Sequence, residues 1–348
     1  MALTIVEADR PVTGGVDTHL DVHVAAALDR IGGVLGVESF ATTSSGHRDL
    51  LGWLRSFGSL ELVGVEGTGS YGAGLARLLA AEGVAVVEVD RPNRQVRRRH
   101  GKSDSIDAVE AARAAQGGRA KGLAKSRDGN VEAIRSLVVA RRSCRSSRVK
   151  ALNQIRHLGF TAPDELRERL RGVPVSSIAV VAASLRPRPG SDPVVFATKT
   201  ALRALGRRVL AFEEEQRLLD EQIAALAAEA APELLAVYGV GPSTAALLLV
   251  AAGDNPERLR SEAAWAHLCG ASPVQASTGK VTRWRLNRGG DRQANHALWR
   301  ITMTRMANDP RTREYVDRRL AEGKSKPEII RLLKRYIARE VYRALPRS

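Results

Sequence analysis

The stretch VTGGVDTHLDVHVAAA, Val12 to Ala27, decides how the first third of the chain is read. Apolar and polar residues alternate from Val16 to Val24. Val16, Leu20, Val22 and Val24 therefore share one face of an extended strand, and Asp17, His19, Asp21 and His23 share the other. An acid on a first strand ordinarily costs desolvation, and Asp17 follows the small pair Gly14-Gly15, so its charge is the informative feature. His19 and His23 lack the helical His-Glu arrangement of a zinc hydrolase and read better as a partly exposed structural pair than as zinc ligands.

Outward from this strand, strand patterns at 33–42, 60–66 and 84–89 alternate with helical patterns near 47–57 and 71–82, which predicts an α/β layered domain. Residues 91–102 are mostly basic and aperiodic, as in a loop. Ser103 or Asp104 then caps a helix that runs to Gln116 and stops at Gly117-Gly118. The middle of the chain holds long helical stretches at 130–158 and 194–230, separated by Pro/Gly-rich sequence around Pro174 and 186–193. Val209, Phe212, Leu219, Ile223 and Leu226 form a heptad-like seam, suited either to a coiled coil with another protomer or to an intrachain helical hairpin. Beyond Pro232 the pattern is compact and helical, with a capping box at Ser325 and Glu328. The predicted division is 1–125, 126–231 and 232–348.

Charge narrows the partners. Lys and Arg number 54 against 38 acids, a net +16, with dense runs at 91–102, 135–156 and 283–300. Such a surface binds a phosphate backbone through counterion release. Cys144 and Cys269 lie far apart and outside any ligand-spaced cluster, and no basic leader or membrane-length apolar run is present, so a cytoplasmic protein without a membrane partner is expected.

Four carboxylates oppose this charge: Asp17, Glu66 at the end of a later strand, and Asp104 with Asp107 on the first turn of a helix. Acids facing a polyanion need cations between them and the phosphates, which points to metal-dependent chemistry at a site of the ribonuclease H type. Paired Mg²⁺ ions would take carboxylates from two strands and one helix. Gly67-Thr-Gly69-Ser-Tyr-Gly72 competes as a dinucleotide fingerprint, with acids at Glu88 and Asp90 downstream. The preceding Asp17 strand, the basic charge and Glu66 beside the loop make that oxidoreductase reading the minor one.

In the last third, Gly239-Val-Gly241-Pro-Ser-Thr244-Ala245 resembles a helix-hairpin-helix, where backbone amides approach a phosphate; an ordinary turn between packed helices would look the same. Ser277-Thr278-Gly279-Lys280 precedes Arg283, Arg285, Arg288 and Arg292, with a tight turn at 287–291. A hydroxyl among cations can attack a phosphodiester while the guanidinium groups stabilise the charged transition state.

Together these segments resemble the DEDD transposases of the insertion-sequence family one-ten, relatives of the Piv DNA invertases that include bridge-RNA-guided recombinases. The matching residues are Gly15-Val-Asp17, Val65-Glu66-Gly-Thr-Gly69-Ser-Tyr71-Gly72, Lys102-Ser-Asp104-Ser-Ile-Asp107-Ala108, the Gly239–Ala245 turn, Ser277-Thr-Gly-Lys280 and Arg288-Gly-Gly-Asp291. The resemblance implies a RuvC-like, ribonuclease H-like α/β domain binding Mg²⁺ through Asp17, Glu66, Asp104 and Asp107. After it come a long-helix or coiled-coil region and a mostly α C-terminal transposase domain with a catalytic serine. Many relatives carry two adjacent serines where this chain has Ser277-Thr278; the nucleophile is carried onto Ser277, with Thr278 the alternative.

The resemblance further implies DNA cutting and rejoining through a phosphoserine, donor and target DNA, a noncoding guide RNA and a homo-oligomer, a dimer or tetramer. Lys102, Gly239, Gly241, Thr244, Lys280, Arg283, Arg285, Arg288 and Arg292 are the expected nucleic-acid contacts. The rival readings are a metal-dependent nuclease or Holliday-junction resolvase without a covalent intermediate, and an architectural nucleic-acid-binding protein.

Overall fold

The computed structural model describes residues 10–89, 103–120, 122–255, 258–279 and 281–346. Lys102, Lys280 and the basic run 91–102 lie outside them. The contacts divide the chain into two units: the described residues of Met1–Gly129 with Ala252–Ser261, and Asn130–Ala251 with Glu262–Pro346.

In the first unit, β1 (Pro11–Thr18), β2 (Val22–Leu28) and β3 (Val34–Ala41) form an antiparallel meander, and α1 (Ser44–Arg55) leads to β4 (Ser59–Glu66). Then come α2 (Ala73–Ala81), β5 (Ala85–Val89), α3 (Asp104–Gln116) and the short β6 (Gly122–Leu123). The sheet order is β3-β2-β1-β4-β5-β6, with β1, β4 and β5 parallel. This is the mixed sheet of a ribonuclease H-like domain, as expected from the sequence. The antiparallel meander excludes the dinucleotide-binding alternative, whose sheet is built from parallel βαβ units. Gly67–Gly72 serves as the turn from β4 into α2, closed by Ser70 N–H to Gly67 O at 2.9 Å.

One expectation fails at the opening stretch. The alternation from Val16 to Val24 reads as a single strand, but the chain reverses at His19–Asp21, and Thr18 pairs with His23 and Asp17 with Val24. Leu20 and Val22 are 64% and 40% exposed rather than core-facing. Apolar letters at a turn that lacks Gly, Pro or Asn kept the period-two pattern running through a real break. His19 and His23 accordingly sit in different settings: His19 is half-buried in the turn, while His23 is fully buried and stacks on His47 of α1, ring centroids 5.2 Å apart.

The sheet's two faces differ. On one, α1 and α2 bury Leu50, Leu54, Leu75 and Leu79 against Val16, Val63 and Val65. On the other, α3 lies almost on the strand backbone: a Cβ on Gly15 would stand 2.2 Å from Ala112 N, and one on Gly64 would stand 2.6 Å from Ala111 O. Only glycine admits this approach. Ser103 takes the N-cap position of α3, though its hydroxyl makes no capping bond. The segment 252–261 packs onto this unit, Asn255 Nδ2 donating to Ala124 O at 2.8 Å and Arg258 Nε to Leu123 O at 3.1 Å.

The second unit begins with α4 (Asn130–Phe160) and α7 (Pro193–Ala230), which run antiparallel. Arg148 pairs with Glu213 at 2.6 Å, Arg141 pairs with Asp220, and the Cys144 thiol donates to Phe212 O at 3.1 Å. Val209 and Ile223 of the heptad-like seam are buried, so the intrachain hairpin is the arrangement observed. The Pro/Gly-rich spacer holds α5 (Asp164–Leu170) and α6 (Ile178–Ala183), whose Leu166, Leu170, Ala179 and Ala182 join one core with Leu202 and Val209.

The remainder is α8 (Pro232–Ala236), α9 (Pro242–Ala252), α10 (Glu262–Leu268), a hairpin of β7 (Val274–Gln275) and β8 (Trp284–Arg285), α11 (Arg292–Asn308), α12 (Pro310–Ala321) and α13 (Lys326–Ala344). The expected capping box opens α13, Ser325 N–H donating to Glu328 Oε2 at 2.9 Å. Among the described residues no helix is long and apolar enough to cross a membrane.

Candidate functional site

Register places the acids of the first unit. Val16 of β1 pairs with Val65 of β4, so Asp17 and Glu66 follow on adjacent parallel strands. Gly15 and Gly64, two residues earlier on each strand, both face α3, and alternation puts Asp17 and Glu66 on that same face. The sheet's α3 face therefore ends in two carboxylates.

α3 adds the others. Its alanines Ala108, Ala111 and Ala112 sit over the glycine backbones, which brings its first turn over the strand ends. Asp107, 3% exposed, turns inward, and Asp17 is 6% exposed. Asp104 is more exposed and reaches the turn after β1: His19 Nδ1 lies 3.8 Å from Asp17 Oδ2, and His19 Nε2 lies 3.9 Å from Asp104 Oδ1. Ligand atoms of Asp17, His19 and Asp104 all fall within 4.8 Å of one another.

Of the four acids named from the sequence, Asp17 and Asp104 are thus brought together, Asp107 is buried on the same helix, and Glu66 ends the neighbouring strand. Sequence reasoning missed His19 as a member. The signal was present, since Asp17 and His19 lie two residues apart on one strand face, but the single-strand reading spread that face over residues that do not share it.

The donor set fits a divalent cation. Keeping carboxylates as buried as Asp17 and Asp107 charged costs desolvation, and a cation would offset that cost. Carboxylate oxygens with one imidazole suit an ion such as Mg²⁺ or Mn²⁺. The buried histidines on the opposite face are of another kind: burial first, then the neighbouring His47 and His19, pushes the His23 imidazole down to about 4, so it stays neutral.

The second unit holds the other candidates. Ser277 lies in the β7–β8 hairpin, where its hydroxyl accepts from Gln275 Nε2 at 3.1 Å and from Arg283 N–H at 3.3 Å. A bridge between Thr278 and Val281 closes the loop, with Gly279 at φ +51°, a left-handed conformation that glycine favours. Arg283, Arg285, Arg288 and Arg292 are exposed, and among the described residues none pairs with a carboxylate, unlike Arg148, Arg217 and Arg319. The 287–291 turn is present: Gly289 N–H donates to Asn287 Oδ1 at 3.0 Å, and Asp291 caps α11.

The Gly239–Ala245 segment joins α8 to α9, with Gly239 at φ +83° against Ile301 and Arg305 of α11. Gly241, Ser243, Arg300 and Thr304 are among the residues lining a cavity of ≈ 410 Å³ there. Thr244, one of the expected nucleic-acid contacts, is 5% exposed and its hydroxyl is engaged with Gly241 N at 3.0 Å and Gly241 O at 2.9 Å, so it shapes the turn.

Comparison with known proteins matches two stretches of the chain, the first reaching from the sheet through most of α4. Residues 14–158 match a transposase family model, that of the IS110 DEDD transposases. Residues 231–317 match the model described as "Transposase IS116/IS110/IS902 family". The chain is 34% identical over 139 residues to the "Insertion element IS110 uncharacterized 43.6 kDa protein" of Streptomyces coelicolor. That match covers 39% of this chain and only 34% of the relative, about a third of its length.

Proposed function

We propose, on the premise that this chain belongs to the IS110 family of transposases, that it cuts and rejoins DNA through a covalent phosphoserine. The observation that carries the reading is the convergence of Asp17, His19 and Asp104 at the end of a ribonuclease H-like sheet, with Asp107 on the same helix and Glu66 on the next strand. A divalent metal at this cluster supplies positive charge that neutralises and orients a phosphodiester. We assign Asp17, Glu66, Asp104 and Asp107 as its carboxylate ligands, His19 as an additional one, and Mg²⁺ as the ion.

Ser277 is the nucleophile in this scheme, Thr278 its alternative. Its Oγ forms a bond to phosphorus as the ester bond to one sugar oxygen breaks, and that oxygen leaves as a hydroxyl with the proton that Ser277 gives up. The phosphoserine retains a phosphodiester, so a second strand's hydroxyl can displace the serine and reseal DNA without ATP. Arg283, Arg285, Arg288 and Arg292 meet the phosphates, with Lys102, Lys280 and the Gly239 and Gly241 backbone as further contacts.

The functional division remains 1–125 for the metal domain, 126–231 for the helical region and 232–348 for the transposase domain. Donor and target DNA, a noncoding guide RNA whose base pairing supplies sequence choice, and assembly as a dimer or tetramer complete the proposal. A cytoplasmic location fits these partners. The test is adduct formation: Ser277→Ala should abolish covalent protein–DNA species while leaving DNA binding. Free DNA ends with no adduct in the unsubstituted protein would support the metal-dependent nuclease instead.

A further inference from the structure

The hairpin face that carries Ser277 also carries an exposed indole. Val274 pairs with Arg285 and Gln275 with Trp284, and the same register continues through Ala276 N–H to Arg283 O at 2.8 Å and on to Thr278 opposite Val281. Opposed residues share a face and successive ones alternate, so Gln275, Ser277, Thr282 and Trp284 point one way, and Arg283 and Arg285 point the other. The bond from Gln275 Nε2 to Ser277 Oγ fits that assignment. Ser277 and Trp284 are diagonal neighbours, a separation of about 7–8 Å or less between side-chain roots.

Trp284 is 62% exposed, whereas Trp265 in the same unit is fully buried. An indole left open on a two-stranded ribbon presents a large, rigid aromatic face on which another ring can stack. What surrounds it argues for the occupant. Residues 274–285 contain no Asp, Glu or His, and Arg283, Arg285, Arg288 and Arg292 are exposed without a carboxylate partner among the described residues. A protein surface would gain little from an acid-free, cationic hairpin, while a nucleic-acid strand offers a π-face for the indole on one side and phosphates for Arg283 and Arg285 on the other. Bases in a duplex are already stacked, so the strand must be unpaired.

We propose that Trp284 is a positioning residue that stacks on a nucleobase of an unpaired DNA strand beside the phosphodiester held at Ser277. The neighbouring-phosphate part rests on the Ser277 reading; the stacking does not. It gives the hairpin a means of fixing one nucleotide, and so of choosing which phosphate meets the hydroxyl. No sequence preference follows, because every base presents a π-face.

The test uses the full chain and a single-stranded oligodeoxythymidylate carrying one 2-aminopurine, whose fluorescence falls when it stacks. Unsubstituted protein should quench it. Trp284→Ala should lose the quenching and bind roughly 5- to 150-fold more weakly, the range for one base–aromatic stack. Trp284→Phe should restore most of both, which a mere loss of folding would not. Ser277→Ala should quench normally, so a failed adduct experiment and a failed stacking experiment are separable. Unchanged quenching in Trp284→Ala overturns the proposal. So does loss of quenching in Trp299→Ala alone, since Trp299 is the other exposed indole among the described residues, or quenching by the matching RNA or duplex but not by single-stranded DNA.

Discussion

In the N-terminal unit Asp17 and Asp107 of the acid cluster are buried where a helix meets the sheet, 6% and 3% exposed, whereas around the C-terminal hairpin Arg283, Arg285, Arg288 and Arg292 all stand in solvent. The acids come from two strands and a helix separated by as much as residues 17 and 107, and the fold holds them before any substrate arrives. The hairpin groups come from one short piece of chain, and their substrate must organise them. Charges fixed in a poorly screened cleft act strongly and individually. Solvated charges act weakly, and together.

The largest effect expected from this contrast is on chemistry. Asp17→Asn keeps the shape of the β1 end but removes a buried charge from the acid cluster, and strand cleavage should fall on the order of a thousandfold, the worth of several kcal/mol of charge stabilisation. DNA affinity should change little. Single-turnover cleavage beside a binding titration checks both. If Arg283→Ala lowered the cleavage rate of bound DNA as much as Asp17→Asn does, the division between fixed acids and collective cations would not hold.

How far each region was legible in the sequence follows the same division. β3 to β5, α1 to α3 and both long helices could be read because each carries its period within a short window. The acids could be listed, but not their assembly, which depends on Gly15 and Gly64 letting α3 descend onto the sheet, a contact between residues far apart in sequence. His19 was lost for a related reason: the reversal at His19–Asp21 has no Gly, Pro or Asn, and its one turn-favouring residue, Asp21, falls in step with the alternation, so the pattern gave no break. The residues of the hairpin were more accessible than its strands, which the sequence reading did not foresee. Ser277, Gly279 and the arginines are contiguous, and only the indole beside the serine passed unnoticed, because strand register rather than composition puts it there.

A smaller effect should separate the units by pH. His23 is neutral in the folded sheet, its imidazole pushed down to about 4 by burial and by His47, while in the unfolded chain it titrates near the ordinary value of 6.5. Between these values the unfolded chain binds the extra proton, so the stability contributed by the neutral imidazole is complete above about pH 6.5 and is lost as pH falls toward about 4. The loss should reach roughly 2 kcal/mol by about pH 4.5. Hydrogen exchange resolved by segment checks it: protection of β1 and β2 should fall with pH and His23→Phe should flatten the fall. The hairpin from 274 to 285, which has no acid or histidine, should show no such trend. Equal pH sensitivity in both would blur the distinction between a pre-formed site and a substrate-organised one.

The smallest expected effect concerns the arginines one at a time. Each exposed guanidinium that meets a phosphate releases about one condensed counterion, so its removal should reduce the steepness of log affinity against log salt by about 0.7 for a single strand. Arg283 and Arg285 share the hairpin face opposite Ser277, so on the proposed reading they would hold backbone phosphates other than the reacting one. Arg283→Ala and Arg285→Ala should therefore each weaken binding several-fold at low salt and hardly at all at high salt, with additive slopes in the double variant. Titrations across a salt series measure this directly. A single substitution that removed several counterions at once would mean the arginines are held as a rigid unit, and the hairpin would then be as pre-organised as the acid cluster.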